Sequence, residues 1–180
     1  MDSARGQLLI AGPTLLDPSF WRTVVLIVEH SEQGALGLVL NRPSETTVGE
    51  TVPQLESLLA LEDPMFIGGP VQPSSMMVLA QFENPGDAAL LAFDDVGVMG
   101  IGDPDDEPTS VTVGRAFVGH AGWGPSQLEA EIARGDWFLE RARFEDAFAT
   151  EPEALWPRVL ERKGGSYALI ARMPADPSMN

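Results

Sequence analysis

The sequence predicts an α+β fold built on a largely antiparallel or mixed sheet, and two observations carry that expectation. Strand-like segments outnumber helix-like ones, and most follow one another through short turns instead of alternating with helices. The 180-residue chain also has an ordinary globular balance, 44% hydrophobic and 21% charged, with no stretch resembling an interdomain linker. One domain over residues 1–180 is the simplest organisation. At this length folding buries roughly 70% of the unfolded surface without help from disulfides or metals.

Gln7 to Ile10 reads as a short apolar strand closed by Gly12-Pro13. Thr23 to Val28 is an uninterrupted β-branched and leucine run, the pattern of a strand buried on both faces. Ser31 to Gly34 is a turn and Ala35 to Leu40 the returning strand of a hairpin, which Pro43 stops. Thr47-Val48-Gly49-Glu50 has the capping-box pattern of a helix start. Val48, Val52, Leu55, Leu58 and Leu59 follow at helical spacing, with Pro53 limiting the regularity of the first turns. Met65 to Ile67 and Met76 to Phe82 read as strands around Gly68-Gly69-Pro70, and Asn84 to Asp87 as a turn. Ala88 to Phe93 suits a short helix or a strand.

Asp103 to Pro108 reads as an exposed acidic loop, followed by an alternating strand from Val111 to Val118. Pro125 falls where proline is favoured, at the first position of a helix carrying Leu128 and Ile132 and stopped by Gly135. Trp137 to Phe144 alternates as a half-buried strand would. Glu151-Pro152 opens a helix carrying Leu155, Trp156, Val159 and Leu160, which ends at Gly164-Gly165. Tyr167 to Ala171 is expected to be a final strand, and Pro174 to Asn180 a tail.

Charge and composition narrow the function. The formal net charge is −16, from 11 basic and 27 acidic residues. Phosphate backbones are held by clustered Lys and Arg, so a field this negative argues against direct nucleic-acid binding and against anionic membrane surfaces. The absence of cysteine excludes disulfides, thiolate metal sites and cysteine nucleophiles. The longest apolar stretch, Val24 to Val28, is far short of the roughly 20 residues that span a bilayer. The first six residues lack the pattern of a signal peptide, so a cytoplasmic location without membrane association is expected.

Familiar catalytic patterns do not fit. Gly97-Val98-Met99-Gly100-Ile101-Gly102 has its glycines in the wrong order for a dinucleotide fold. The single lysine, Lys163, is in no P-loop, and no serine sits in a G-x-S-x-G elbow. The acidic loop lacks EF-hand ligand spacing, and His30 and His120 have no second histidine at metal-ligand spacing. No cofactor and no metal are expected.

What remains is a set of polar blocks at predicted strand ends. Glu29-His30 follows the buried strand, and Asn41-Arg42-Pro43 follows its hairpin partner. Antiparallel pairing puts these blocks at opposite ends of the hairpin, so they need not meet. Asp17 and Arg22 add a carboxylate and a guanidinium ahead of the strand. An Asp17–Arg22 or Glu29–Arg42 pair would be an ordinary structural ion pair. Gly119-His120-Ala121-Gly122-Trp123-Gly124-Pro125 runs toward a helix start where free N–H groups suit an anion, with Gln127 and Glu129 in the first turn. The same segment also reads as a tight turn that packs Trp123 into the core.

Together these blocks resemble the YqgE/AlgH family of bacterial proteins. The resemblance runs in order through Gly6 to Ala11, Asp17-Pro18, Phe20, Arg22, Val24-Val25 and Glu29-His30. It continues through Gly34 to Pro43, Gly68-Gly69-Pro70-Val71, Ala121 to Gly124, Gln127-Leu128-Glu129 and Asn180. His120 stands where the family usually has Tyr and Ser126 where it usually has Gly. The resemblance implies a compact α+β domain with a curved, barrel-like sheet, in a bacterial cytoplasm. Members are commonly labelled transcriptional regulators through one member's association with alginate production, and no shared reaction comes with the label.

The candidate binding surface is therefore Asp17, Arg22, Glu29, His30, Asn41, Arg42, Gly68, Gly69, Pro70, His120, Gly122, Trp123, Gln127 and Glu129. The leading expectation is a non-enzymatic regulatory or binding protein acting on a protein or small-molecule partner, not on DNA. The alternative is an enzyme using His30 or His120 as acid–base group, Glu29 to orient it and Arg42 to hold an anionic substrate. A third reading gives the glycine-rich blocks a purely structural role.

Overall fold

The computed structural model describes residues 2–99 and 110–175, so the expected acidic loop Asp103 to Pro108 and the last residues of the tail lie outside the described residues. Among the described residues the strands are β1 (Gln7–Ala11), β2 (Val24–Ser31), β3 (Gly34–Val39), β4 (Pro43–Thr47) and β5 (Pro64–Ile67). They continue with β6 (Val71–Phe82), β7 (Leu90–Phe93), β8 (Val96–Val98), β9 (Val111–Trp123) and β10 (Trp137–Arg141). The main path of the sheet runs β10-β1-β2-β3-β9-β6-β8-β7, with every neighbouring pair antiparallel. β5 pairs parallel with β9 and antiparallel with β4, which makes the sheet mixed. β7 lies against β2, but no ladder joins the outer strands β7 and β10. The sheet is open, and the closure suggested by a barrel-like form is not made.

The period of two in a strand explains the core. Leu8, Ile10, Val24, Leu26, Val28, Leu38 and Leu40 project to one face, and Leu9, Ala11, Val25, Ile27 and Val39 to the other. Helix α4 (Leu155–Lys163) covers the first face with Leu155, Trp156, Val159 and Leu160. Trp123, Trp137 and Leu128, the last on α2 (Gln127–Ala133), cover the second. Both faces of β2 are thus buried, which is why its sequence does not alternate. Burying its five fully enclosed side chains is a gross gain on the order of 10 kcal/mol.

The outer edge of β10 is blunted by the C-terminal turn of α4. Lys163 Nζ donates to the Leu139 carbonyl at 2.7 Å and Arg162 Nη2 to the Arg141 carbonyl at 3.2 Å. Cations here satisfy strand acceptors that would otherwise recruit another chain.

Several elements differ from expectation. Tyr167 to Ala171 is not a strand, because Ser166–Ile170 forms helix α5 packed on α4. A short apolar run suits either state. Here Tyr167 meets Phe138 edge-on at 5.0 Å while Lys163 sits 4.8 Å over its ring, which fixes the segment to α4 and β10. The Thr47 capping box forms as expected, but α1 (Val48–Thr51) lasts one turn, and Pro53 to Leu55 continues as 3-10 helix. Proline removes the N–H that a longer helix requires. Pro43 opens β4 instead of ending a hairpin strand, since β3 already stops at Val39. Val96–Val98 is a strand that Gly97 concealed, and Leu90–Phe93 is its strand partner. β10 ends at Arg141, and α3 (Phe144–Ala147) follows.

The glycine-rich block is also not the expected turn. β9 runs unbroken to Trp123, so Gly119 and His120 lie within a strand. Pro125 precedes the helix instead of opening it, and Ser126 is the N-cap at φ 63°.

Candidate functional site

The predicted residues divide between the two ends of the β2–β3 hairpin. At the Glu29-His30 end, His30 Nδ1 accepts the Ala4 N–H at 2.8 Å. That bond places the ring proton on Nε2, which donates to Glu129 Oε1 at 2.6 Å. The His30 side chain is 5% exposed, against 35% for Glu129. The Glu129 carboxyl is held below the usual carboxylate range, first by its own backbone N–H and then by the His30 hydrogen bond. Glu29 lies on the same strand, where adjacent side chains project to opposite faces. It lines a shallow depression of about 210 Å³ with Ser31, Gln33, Leu36 and Trp123.

The start of α2 does not offer an anion site. Gln127 Oε1 already accepts the Gly124 N–H at 3.0 Å, and the Glu129 charge stands in the first turn. Gly122 is paired with Leu36 in the ladder, and Trp123 packs against Phe20 and Trp137 with ring centroids 6.3 and 6.1 Å away. Next to these indoles burial pushes the Glu131 carboxyl up.

At the other end, Asp17 Oδ1 accepts the Ser19 N–H at 2.8 Å and fixes the turn that leads into Trp21. The turn presents two carbonyls to Arg42, whose Nη1 donates to Ser19 at 2.8 Å and Nη2 to Trp21 at 3.0 Å. Burial lowers the Arg42 pKa, opposed by the charge of Asp17. Asn41 acts as a strand partner, accepting the Val24 N–H at 3.0 Å and donating to the Arg22 carbonyl at 2.9 Å. Arg22 itself stands at φ 53°. Its guanidinium carbon is 4.6 Å from the Trp156 ring centre and 5.2 Å from that of Trp21. Its Nη2 donates to the Met173 carbonyl at 2.7 Å.

These groups line a cleft of about 340 Å³ between Trp21, Arg22, Asn41, Arg42, Glu153 and Trp156. A hollow of about 90 Å³ beside Leu16, Met173 and Pro174 shares Trp21, Arg22 and Trp156 with it. Another of about 90 Å³, beside Ile67, Gly69 and Pro70, shares Arg42. Through these shared walls the two hollows adjoin the cleft on either side, a groove around Arg22 and Arg42. Gly69 reaches it by crossing β9 at close range: it stands at φ 151°, and a Cβ there would meet the His120 carbonyl carbon at 2.2 Å. His120 lies behind this crossing, opposite Val71, with Nδ1 buried and unpartnered and its pKa lowered by burial.

Thus Asp17, Arg22, Asn41, Arg42 and the Gly68-Gly69-Pro70 block share one end, and Glu29, His30, Gly122, Trp123, Gln127 and Glu129 the other. Neither an Asp17–Arg22 nor a Glu29–Arg42 pair is among the described ion pairs. The cleft that the alternative, enzymatic reading requires, joining a histidine, Glu29 and Arg42, is not assembled among the described residues. His30 is oriented by Glu129, and Arg42 is bonded to backbone carbonyls at the far end. Sequence reasoning missed Trp21, Glu153, Trp156 and Met173. Trp21 is 38% exposed, and its place in the polar stretch Asp17 to Arg22 was the available signal. Trp156 gave none, because helical spacing marked it as core.

Among the described residues no helix is long and apolar enough to cross a membrane, and no cluster of His, Asp and Glu has the spacing of a metal site. The AlgH-like family model matches residues 8–168. A UPF0301 protein of Streptomyces coelicolor is 39% identical, with 100% of this chain and 97% of the relative covered. One from Chlorobium limicola is 37% identical, covering 97% and 95%. A crystal structure of a Corynebacterium diphtheriae protein superposes with a TM-score of 0.84 at 29% identity, covering 96% and 94%. The solution structure of AlgH from Pseudomonas aeruginosa gives 0.69 at 29% identity, covering 97% and 96%. The chain belongs to the AlgH-like family of UPF0301 proteins.

Proposed function

We propose that residues 1–180 act as one domain, a non-enzymatic regulatory or binding protein of the bacterial cytoplasm that works through a partner at the groove around Arg22 and Arg42. The observation that carries this reading is the gathering of exposed apolar groups there. Leu16 is 71% exposed, Met173 47%, Ile67 45% and Trp21 38%, and all four line the groove. Apolar surface rimmed by polar groups marks interaction sites, and Trp and Arg are the side chains that dominate binding energy. The net charge of −16 supports a partner other than DNA.

The test is affinity capture from the producing cells with the wild-type chain and its Trp21→Ala variant, followed by binding of the recovered partner across a salt series. The expected result is a partner lost on Trp21→Ala. Sequence-selective DNA binding by the pure protein, or capture indifferent to Trp21, would refute the proposal.

A further inference from the structure

Resting on that reading, we infer that Arg22 and Arg42 form a subsite for a single carboxylate group of the ligand, with the apolar part of that ligand lying against Trp21. The first observation is uncompensated charge. Two guanidinium groups and one carboxylate, that of Glu153, line the cleft, so its wall is net positive on a chain whose formal charge is −16. None of the described ion pairs includes Arg22, Arg42 or Glu153. Every described hydrogen bond of the two guanidinium groups goes to a neutral carbonyl, of Met173, Ser19 or Trp21. Carbonyls orient a cation without cancelling its charge. The Asp17 carboxylate offers Arg42 some compensation, but burial outweighs it and lowers the Arg42 pKa.

The second observation is placement. Arg22 comes from the turn ahead of β2 and Arg42 from the segment between β3 and β4. Even so, Arg42 Nη2 bonds the carbonyl of the peptide unit that joins Trp21 to Arg22. Like charges gathered on one cleft repel unless an anion joins them. Arg22 commits one of its five N–H groups and Arg42 two, so donors remain on both for the two oxygens of a carboxylate. The contact of Arg22 with the Trp156 ring holds its fork in place before a ligand arrives, which lowers the ordering cost of binding. Its backbone stands at φ 53°, a conformation that glycine would adopt without strain but without supplying the cation.

The third is the match to one kind of anion. A lining of two positive groups and one negative group is neutralised by a single negative charge. The field of the whole chain repels a dianion about twice as strongly as a monoanion. A carboxylate therefore suits the cleft better than a phosphate monoester. The cleft volume of about 340 Å³ falls within the roughly 300–1,000 Å³ typical of small-ligand sites. Trp21, 38% exposed, supplies an apolar surface beside the cations. The same carboxylate chemistry is carried by a free organic acid and by an Asp or Glu side chain of a protein partner.

The experiment titrates the full chain at low ionic strength with benzoate, its neutral counterpart benzamide, and phenyl phosphate. A second arm uses the capped dipeptides acetyl-Phe-Glu-amide and acetyl-Phe-Gln-amide. The indole N–H resonances of the four tryptophans report affinity and location. The expected result is at least tenfold tighter binding of one or both carboxylates than of the matching amide, with the Trp21 signal shifted. Benzoate as the tighter carboxylate identifies a free acid, and the glutamate dipeptide a partner protein's side chain. Arg22→Gln and Arg42→Gln each weaken binding at least tenfold. Glu153→Gln, at an exposed position, leaves folding intact and tightens binding severalfold. Should Arg42→Gln fail to fold, Arg22→Gln and Glu153→Gln carry the test. No preference for carboxylate over amide overturns the inference. So does a preference that survives Arg22→Gln, or tighter binding of phenyl phosphate than of benzoate. Weakening by Glu153→Gln also overturns it, since the cleft would then select a cation. If Trp21-dependent capture of a partner persists while both carboxylates fail, the subsite is refuted and the binding reading stands. If both fail, both are refuted.

Discussion

Replacing Asp146 by Asn should cost about 3 kcal/mol of folding stability. Asp146 is 2% exposed and receives both arms of Arg162, Nη1 on Oδ1 at 2.8 Å and Nη2 on Oδ2 at 2.9 Å. Its Oδ2 also accepts the Arg143 N–H at 2.8 Å, which starts α3. Breaking one side of a buried ion pair costs roughly 3–5 kcal/mol because the other charge is left unpaired. The low end applies here, since the Arg162 side chain is 19% exposed and hydration recovers part of the loss. For a chain of 180 residues that corresponds to a fall in Tm of roughly 8 °C. The assay is urea unfolding at neutral pH with calorimetry for Tm. Arg162→Met and the double variant complete a cycle, in which the double variant should lose less than the sum of the singles by about 1–3 kcal/mol. A loss below about 1 kcal/mol, or full additivity, would refute the argument that the pair is a desolvated unit. The consequence reaches the cleft beside Arg22 and Arg42, because α4 carries both Arg162 and Trp156, and loosening it displaces an aromatic wall there.

Other perturbations have equally definite signs. Ser126→Gly should stabilise by about 0.5–1 kcal/mol, because a non-glycine residue at φ 63° is strained and Gly is not, and unchanged urea midpoints would contradict this. Gly69→Ala should cost more than about 3 kcal/mol or prevent folding, as its Cβ would stand 2.2 Å from the His120 backbone, and a well-folded variant in circular dichroism would count against the crossing. Burial holds the His120 pKa below its ordinary 6.5, so its neutral form stabilises the fold fully above that pH. That stability is lost as pH falls below 6.5 and the unfolded chain takes up the proton first. His120→Leu should flatten stability against pH in that window, and an unaltered slope would assign it to other groups.

Much of the fold was legible in the sequence because its strands carry strong local signals. The run from Val24 to Val28, the turn at Glu32-Gln33 and the return from Ala35 needed only hydrophobic pattern and turn chemistry. The Thr47 capping box is a contact within one turn, so it too was readable. Tyr167 to Ala171 was misread because its length suits helix and strand equally, and only packing on α4 decides. Gly119 looked like part of a turn, yet it serves the close passage of Gly69 over β9, a contact about 50 residues away that no local pattern encodes. The candidate site was half legible for the same reason. Asn41 and Arg42 were found as polar residues at a strand end, but the aromatic walls came from Trp21 on a turn and Trp156 on a helix expected to be wholly core.

The division of the candidate residues follows from the hairpin itself. His30 stands six residues beyond Val24 on β2, and at about 3.3 Å per residue the two ends of the strand are roughly 20 Å apart. Asn41 is bonded to Val24 at the near end, and Glu129 to His30 at the far end. A small molecule bound at either end cannot touch the other, so chemistry shared between His30 and Arg42 is ruled out by strand length, whatever their side-chain rotamers. The two ends should therefore behave as independent sites. His30→Ala strips the Ala4 N–H and Glu129 of their partner, while Trp21→Ala removes an exposed groove wall. Their stability losses in urea unfolding should add to within about 0.5 kcal/mol. A larger coupling would mean that strain passes along β2, whose side chains are packed on both faces, and the groove would then be a lever on the His30–Glu129 pair instead of a separate site.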